Sequence, residues 1–240
     1  MKLEVSPHDS ERFGIKVGRC ENFHLDDWPA ILSSCKREEF RLLVLRVSTD
    51  ELDTLQTILQ AGGVFCETMV RYRRNLSKSE PLDWKEGYFL REACPDDLDA
   101  LAAVSRQAFH DYQSHYQADE KLKAFSSSDI YCSWLSNMLI ENSGKRRIVV
   151  VEKESELMGF GVSEINAANE GIGLLRGVLP SAQSLGMGIS IVRDSINWSK
   201  EMKAKRYVCS CQITNKITQL QLSKLGMKYH DSFYTIHYWA

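Results

Sequence analysis

The first part of the chain alternates apolar runs with two amphipathic stretches, a pattern typical of a small α/β unit. The apolar run from Arg41 to Val47 is long enough for a buried strand. The next stretch has leucine and isoleucine at helical spacing and ends at Gly62-Gly63, which predicts a helix with Thr49 as its N-cap. The predicted elements are strands over 13–20, 41–47 and 64–72 and helices over 27–35 and 49–61.

A polar stretch, 75–86, interrupts this pattern and predicts a linker. Beyond it, Glu154 to Leu157 lies between two apolar runs and predicts a hairpin, and Gly226 predicts the end of the last helix. The predicted elements are strands over 88–92, 148–153, 158–165, 171–179, 207–213 and 233–239, and helices over 95–108, 129–140, 186–203 and 215–225. We therefore expect an α+β chain of two domains, 1–80 and 81–240.

The composition narrows the class of protein. The chain has 240 residues, 43% of them hydrophobic, and a net charge of −2, which favours a globular core and gives no support for nucleic-acid binding. The first residues lack the apolar core of a signal peptide, and no run approaches the roughly 18 apolar residues of a membrane span. The seven cysteines are odd in number and scattered. We expect a reduced, cytoplasmic protein without metal or membrane contact.

The segment with the most chemical information joins a predicted strand to a predicted helix. Its residues, the glycine loop, are Gln183, Ser184, Leu185, Gly186, Met187 and Gly188. Glycine lets a ligand approach the backbone, and the first turn of a helix has unpaired N–H groups and a partial positive charge. These properties suit a pyrophosphate. A plain strand-to-helix turn explains the same residues, and the spacing matches neither a dinucleotide fingerprint nor a Walker loop.

The context of the loop resembles the GNAT superfamily of acyl-CoA-dependent N-acyltransferases over roughly Tyr88 to Ala240. The matching motifs are Val178-Leu179-Pro180, the glycine loop, and Asn215 followed eleven residues later by Gly226. The stretches Gly173 to Gln183 and Arg12 to Lys16 look like the two-domain acyltransferases that act on nucleotide-linked amino sugars, typified by TDP-fucosamine acetyltransferase.

The resemblance implies a central mixed, mostly antiparallel sheet flanked by helices, and an N-terminal domain that contributes to the acceptor pocket. It implies direct attack, in a ternary complex, of the amine of a dTDP-linked amino-dideoxy sugar on acetyl-CoA or 3-hydroxybutanoyl-CoA, in lipopolysaccharide or related glycan assembly. N–H groups near Val178 and Leu179 would polarise the thioester. Those of 185–188 would hold the pyrophosphate, and Asn215 would contact the pantetheine arm.

One position departs from the family pattern. The tyrosine that usually protonates the leaving thiolate, seven residues after the asparagine, is replaced by Leu222. A thiol with a pKa of about 8.5 can leave as the anion, and alignment of two substrates can supply roughly 7–11 kcal/mol. We therefore expect proximity catalysis with weak acid–base assistance. The leucine could also make room for a donor larger than acetyl.

Five further residues are candidates for the chemistry. His115 and Tyr112, in the polar loop over 110–128, and Glu164 are candidate acid–base groups, whereas Arg176 and Tyr116 are candidate acceptor ligands. Each has a simpler explanation as a solvated side chain. Acylation of a protein or small-molecule amine and a non-catalytic acyl-CoA sensor fit the same motifs. The sequence does not decide between these functions. It also leaves open the identity of the sugar, the identity of the acyl group and the choice between monomer and homodimer.

Overall fold

The structure is a computed structural model that describes residues 3–77, 81–82, 89–141 and 144–240. The chain divides into two compact units. The first unit comprises Met1–Val70, Gln113–Ala124 and Asp231–Ala240, and the second comprises Arg71–Tyr112 and Phe125–His230. The linker predicted over 75–86 falls largely outside the described residues, so the domain boundary near residue 80 stays a prediction.

The first unit is built on a sheet with the strand order β1-β2-β3-β10-β4. Its elements are β1 (Glu4–Val5), α1 (Pro7–Phe13), β2 (Val17–Glu21), a 3-10 turn (Leu25–Asp27), α2 (Trp28–Arg37), β3 (Leu42–Ser48), α3 (Leu52–Gln60), β4 (Val64–Asn75) and, far along the chain, β10 (Lys228–Trp239). β2 and β3 are parallel, whereas β10 runs antiparallel to β3, from Phe233 opposite Ser48 to Trp239 opposite Leu42. β4 and β10 each continue into the second unit.

The two faces of this sheet differ in polarity. One face packs against α2 and α3, and its fully buried members include Ile31, Leu43, Leu45, Ile58 and Ile236. Polar or charged side chains occupy alternate positions of the same strands: Arg19, Arg46, Thr235 and His237. Because successive side chains of a strand point to opposite faces, these groups share the other face of the sheet. We call it the polar face.

Two predictions in this unit are wrong in detail. The strand over 13–20 is a helix at its start: Pro7 begins α1, and Gly14 ends it with a φ of +64°, in the left-handed region. β2 begins only after that turn. Thr49 is not an N-cap, because α3 starts three residues later and the Thr49 hydroxyl lies 2.6 Å from that of Ser232.

The second unit has the strand order β4-β9-β8-β7-β6-β5. Its elements are β5 (Phe89–Glu92), a 3-10 turn (Pro95–Asp97), α4 (Leu98–Ala108), α5 (Ser127–Ile140), β6 (Arg146–Lys153), β7 (Glu156–Ile165), β8 (Gly171–Val178), a 3-10 turn (Pro180–Leu185), α6 (Met187–Glu201), β9 (Arg206–Gln212) and α7 (Lys216–Lys224). β5 to β8 pair antiparallel in succession, and β8 and β9 are parallel. The predicted hairpin is confirmed between β6 and β7.

Helices cover both faces of this sheet. Ile148 and Val150 of β6 pack with α4 and α5, whereas the alternate residues Val149 and Val151 pack with α6. This arrangement confirms the predicted α+β fold with a mixed, mostly antiparallel sheet. Within the described ranges, no helix is long and apolar enough to cross a membrane.

Candidate functional site

The distinctive feature of the second unit is the separation of β8 from β9. Three residue pairs join the strands near their starts, from Gly171 opposite Tyr207 to Gly173 opposite Cys209. No further pair joins the remainder of these two strands, both of which the structure describes throughout. The carboxyl ends therefore diverge, and the facing edges present backbone groups that the pairing of these strands does not use.

A bulge in β8 accompanies this separation. Val162 of β7 pairs with Leu175 and Ser163 pairs with Gly173, so Leu174 is an extra residue in β8. A bulge bends a strand and increases its twist. Gly173 itself has no room for a side chain, because a Cβ atom there would lie 2.4 Å from the Tyr207 hydroxyl.

One of the two N–H groups predicted to polarise the thioester is already used inside the sheet. The Leu179 N–H donates to the Met158 carbonyl at 2.8 Å. This bond makes Gly159 and Val178 a non-hydrogen-bonded pair, so the N–H of Val178 points away from β7, on the side from which β9 has separated. Val178 is therefore the better-placed donor of the two, and its role stays a prediction.

The glycine loop is a 3-10 turn followed directly by α6. Gly186, between them, has a φ of +83°, which favours glycine. The N–H groups in the first turn of α6 lack acceptors within the helix, and no acidic residue lies in that turn. A Cβ atom at Gly188 would meet only the end of the Gln221 side chain, at 3.4 Å. The loop thus offers an anion the N-terminus of a helix.

The side chains of the loop differ in exposure. Gln183 and Leu185 are exposed, whereas Met187 is fully buried. The side chain of Ser184 lies outside what the structure describes. The loop therefore offers mainly backbone groups to a ligand, and its contact with a pyrophosphate stays a prediction.

Arg176 joins the starts of α6 and α7. Its Nη1 donates to the Gly188 carbonyl at 3.0 Å, and its Nη2 donates to Thr218 Oγ1 at 2.9 Å. The Thr218 N–H in turn donates to Oδ1 of Asn215, the N-cap of α7, at 3.0 Å. The guanidinium predicted to bind the acceptor therefore has two protein partners. Through these bonds Arg176 holds the N-termini of α6 and α7, which carry a partial positive charge, beside the separated strands.

No reactive group at neutral pH comes from Leu222, at the predicted acid position, or from the two cysteines of β9. Leu222 is fully buried in α7 and cannot donate a proton. Burial raises the pKa of the Cys209 thiol and, with the neighbouring cysteine, raises that of Cys211 to about 12. Neither thiol is therefore a thiolate nucleophile.

The polar face of the first unit holds a buried carboxylate, that of Asp9. It accepts hydrogen bonds from Ser6 Oγ at 2.8 Å, Arg12 Nη1 at 3.0 Å, Arg19 Nη2 at 2.6 Å and the Tyr116 hydroxyl at 2.9 Å. Burial raises the pKa of Asp9, but the charge of Arg19 and the hydrogen bonds from Arg19, Ser6 and Tyr116 outweigh burial and lower the pKa below its usual value. Tyr116, predicted to bind the acceptor, thus donates a hydrogen bond from its hydroxyl to Asp9.

Two arginines of the polar face retain an unused donor. The Nε atoms of Arg19 on β2 and Arg46 on β3 are buried and have no hydrogen-bond partner among the described residues. Arg46 also forms an ion pair with Glu21 at 2.6 Å. Guanidinium groups on neighbouring strands suit phosphate groups, because each can donate two parallel hydrogen bonds.

His115 is the first member of a buried hydrogen-bonded chain. Its Nδ1 lies 2.9 Å from Nε2 of His237, whose Nδ1 lies 2.9 Å from Oδ2 of Asp119. When both rings are neutral, the Asp119 carboxylate fixes their tautomers, because it can only accept a hydrogen bond. His237 therefore donates from Nδ1 and accepts at Nε2 the hydrogen bond from Nδ1 of His115. The lone pair of His115 is then on Nε2. Burial and nearby positive charges hold the pKa of His115 well below its ordinary value. His115 is therefore neutral with a lone pair on Nε2, and its low pKa makes this nitrogen a weak proton acceptor.

The other two candidate acid–base residues lie in the second unit. Tyr112 packs edge to face against Phe109 and Tyr131. Glu164 forms an ion pair with Arg146 at 2.7 Å. Packing and pairing explain both side chains, and their catalytic roles stay predictions. In the described part of the chain, no cluster of His, Cys, Asp or Glu side chains could hold a metal ion.

The sequence-based predictions missed the partners of these residues: Asp9, Arg19, Asp119, Thr218 and His237. One signal was available, since Thr235 and His237 are polar residues at alternate positions of the otherwise apolar stretch 233–239. The separation of β8 from β9 was not predicted, because the pattern within one strand does not specify how two strands pair.

Comparison with known proteins gives matches in structure only. No protein-family model and no curated protein sequence matches the chain. A GCN5-related N-acetyltransferase from Kribbella flavida aligns with a TM-score of 0.62 and 10% identity, over 92% of this chain and 80% of that one. The enzyme from Sphaerobacter thermophilus aligns with a TM-score of 0.61 and 12% identity, over 89% of this chain and 66% of that one.

A third similar structure contains coenzyme A. The PaiA N-acetyltransferase from Thermoplasma acidophilum, in complex with coenzyme A, aligns with a TM-score of 0.51 and 16% identity, over 65% of this chain and all of that one, 100%. At these identities the likeness concerns the fold. The chain has the α+β fold of the GCN5-related N-acetyltransferases.

Proposed function

We propose that this protein is an acyl-CoA-dependent N-acyltransferase. The observation that carries the proposal is the separation of β8 from β9 beside the N-terminus of α6. The gap suits an extended pantetheine chain, and the helix N-terminus suits a pyrophosphate. Similar structures of N-acetyltransferases, one with coenzyme A, support the same cofactor.

In the proposed reaction, the acceptor amine attacks the thioester carbon directly. The carbon–sulfur bond breaks, the sulfur leaves with the electron pair, and the amine loses a proton. The N–H of Val178 stabilises the developing oxyanion. We propose no acyl-cysteine step, because the raised pKa values of both cysteines of β9 make their thiols poor nucleophiles. We propose that the amine proton passes to solvent, because the low pKa of His115 makes its Nε2 a poor proton acceptor.

We further propose that the acceptor is a dTDP-linked amino sugar. The polar face supports this choice, since Arg19 and Arg46 lie on neighbouring strands and their side chains are 37% and 32% exposed. For the donor, Leu222 is fully buried, so its replacement of a tyrosine does not by itself open a pocket. We therefore propose acetyl-CoA as the preferred acyl donor and 3-hydroxybutanoyl-CoA as the alternative donor.

The test is an assay of free thiol with each acyl-CoA and a panel of dTDP-linked amino sugars, peptides and small amines. Thiol release that depends on the amino sugar supports the proposal. Release only with peptides or small amines would assign another acceptor. Binding of acetyl-CoA without thiol release for any amine would assign a non-catalytic sensor.

A matched pair of variants tests the acceptor. Arg46→Gln should raise KM for the sugar nucleotide about tenfold through loss of one charge-assisted bond, with kcat little changed. Arg37→Gln removes an exposed arginine of α2 and should change neither value. Equal effects of the two substitutions would contradict a role of the polar face in binding.

A further inference from the structure

A basic cleft lies in the second unit, where the end of β4, the start of β9 and the turn after α7 meet. Two adjoining cavities, of about 580 and 440 Å³, share Arg73 and Asn75. Six cations line them: Arg73, Arg74, Lys205, Arg206, Lys224 and Lys228. Each volume lies within the range of small-molecule sites, about 300–1,000 Å³.

Most of these cations are not neutralised by the protein. Arg206 forms an ion pair with Glu170, and Arg74 Nη1 donates to the Leu225 carbonyl at 2.6 Å. The other four form no ion pair within the described ranges, and no described carboxylate lines either cavity. Since the chain as a whole has a net charge of −2, the positive charge is local. On a concave surface it raises the concentration of anions.

Hydrogen bonds hold the walls of the cleft together. The Leu76 N–H donates to the Lys205 carbonyl at 3.0 Å and joins the end of β4 to the start of β9. The bond from Arg74 to Leu225 joins β4 to the end of α7, where Gly226 turns the chain with a φ of +72°. The cations therefore converge from three connected elements.

We infer that this cleft binds a small molecule that carries at least two phosphate groups. Arg73 contributes to both cavities, and each cavity has further cations of its own, so one ligand can place a phosphate in each. The guanidinium fork suits phosphate oxygens, and the lysines add compact charges. A single carboxylate would leave most of the positive charge unmatched.

This site is separate from the proposed acyl-CoA site. The glycine loop and the separation of β8 from β9 lie at the carboxyl end of β9, whereas the cleft lies at its amino end. β9 has seven residues, so the two ends lie roughly 20 Å apart at about 3.3 Å per residue. The inference does not depend on the proposed acyltransferase activity.

The test is calorimetric titration of the full chain with inorganic tripolyphosphate, ATP and, for comparison, inorganic monophosphate. Tripolyphosphate and ATP should bind, at least about tenfold more tightly than monophosphate, and more weakly as ionic strength rises. Absence of binding by both polyphosphates would overturn the inference. Tighter binding of a single-stranded oligonucleotide than of ATP would also overturn it, by assigning the cleft to nucleic acid.

Variants locate the binding. The double substitution R73Q/K228Q should weaken tripolyphosphate about 10- to 100-fold, while acetyl-CoA affinity stays unchanged. K205Q/K224Q is a second pair that should act in the same direction if the first pair disturbs folding. R73K keeps the charge but loses the fork and should give a smaller loss. The matched control is K153Q, an exposed lysine at the end of β6, and an equal loss there would contradict the site.

Discussion

At the scale of single residues, Asp119 is the acceptor that ends the buried imidazole chain. Burial raises its pKa, but hydrogen bonds from His237 and Trp239 outweigh burial and lower the pKa to about 2 from 3.8. The folded state therefore favours the carboxylate. The contribution of the ionised Asp119 to the free energy of unfolding is complete above the unfolded pKa and is lost as the pH falls from about 4 towards 2.

We therefore expect Asp119→Asn to lower the free energy of unfolding by about 2 kcal/mol at pH 7. The difference between the variant and the wild type should shrink as the pH falls below 4. Urea unfolding of both proteins over this range measures it. Asp111→Asn, at an exposed carboxylate, is the control, and a difference independent of pH would contradict the assignment.

His115 should make stability depend on pH in a different window. Burial, followed by the electrostatic effects of His237, Arg46 and Arg19, lowers the folded pKa of His115 well below 6.5, so the unfolded chain takes up the proton first. Stability should therefore fall as the pH drops below about 6.5, by up to about 1.4 kcal/mol per pH unit. The ionised Asp119, which is bonded to His237, and the ring of Tyr116 also face His115.

His115→Gln should flatten this part of the stability curve even if it lowers stability overall. Urea unfolding between pH 7 and pH 5 compares the slopes, with His110→Gln at an exposed histidine as the control. Equal slopes in the variant and the wild type would show that His115 does not titrate as the buried geometry requires.

At the scale of elements, two left-handed glycines allow a matched comparison. Gly186 precedes α6 with a φ of +83° and Gly226 follows α7 with a φ of +72°. Alanine at either position should lower the free energy of unfolding by about 1 kcal/mol, because a Cβ atom is strained there. Only Gly186→Ala should also weaken acetyl-CoA binding, measured by calorimetry. Equal weakening by both substitutions would contradict the role of the glycine loop.

Many of the helices, strands and turns could be predicted from the sequence. The strand, loop and helix around Gly186 have apolar periodicity and glycine signals that act locally. α1 was not predictable in this way, because its residues are mostly polar. It is stabilised instead by bonds of Asp9 to Arg19 and Tyr116, 10 and 107 positions away. The separation of β8 from β9 likewise depends on how strands pair, which the pattern within one strand does not specify.

At the scale of the whole molecule, the first unit is assembled from three distant parts of the chain. β10 lies between β3 and β4 in its sheet, and Gln113–Ala124 contributes Tyr116 and Asp119 to its polar groups. We therefore expect a chain of residues 1–80 alone not to fold, because its sheet would lack a central strand. Far-UV circular dichroism and NMR dispersion of that fragment, beside the full chain, measure this. A cooperatively folded fragment would contradict the expectation.

The place of β10 also bears on how the protein is made on the ribosome. Ser48 pairs with Phe233, so β3 leaves the ribosome long before its partner has been translated. At about 5–20 residues per second, the nascent chain waits roughly 10–40 s for that partner. Meanwhile β3 has an open, apolar edge that other nascent chains can reach. Chaperone protection during translation is therefore expected to matter more for the N-terminal part of this protein than for the rest.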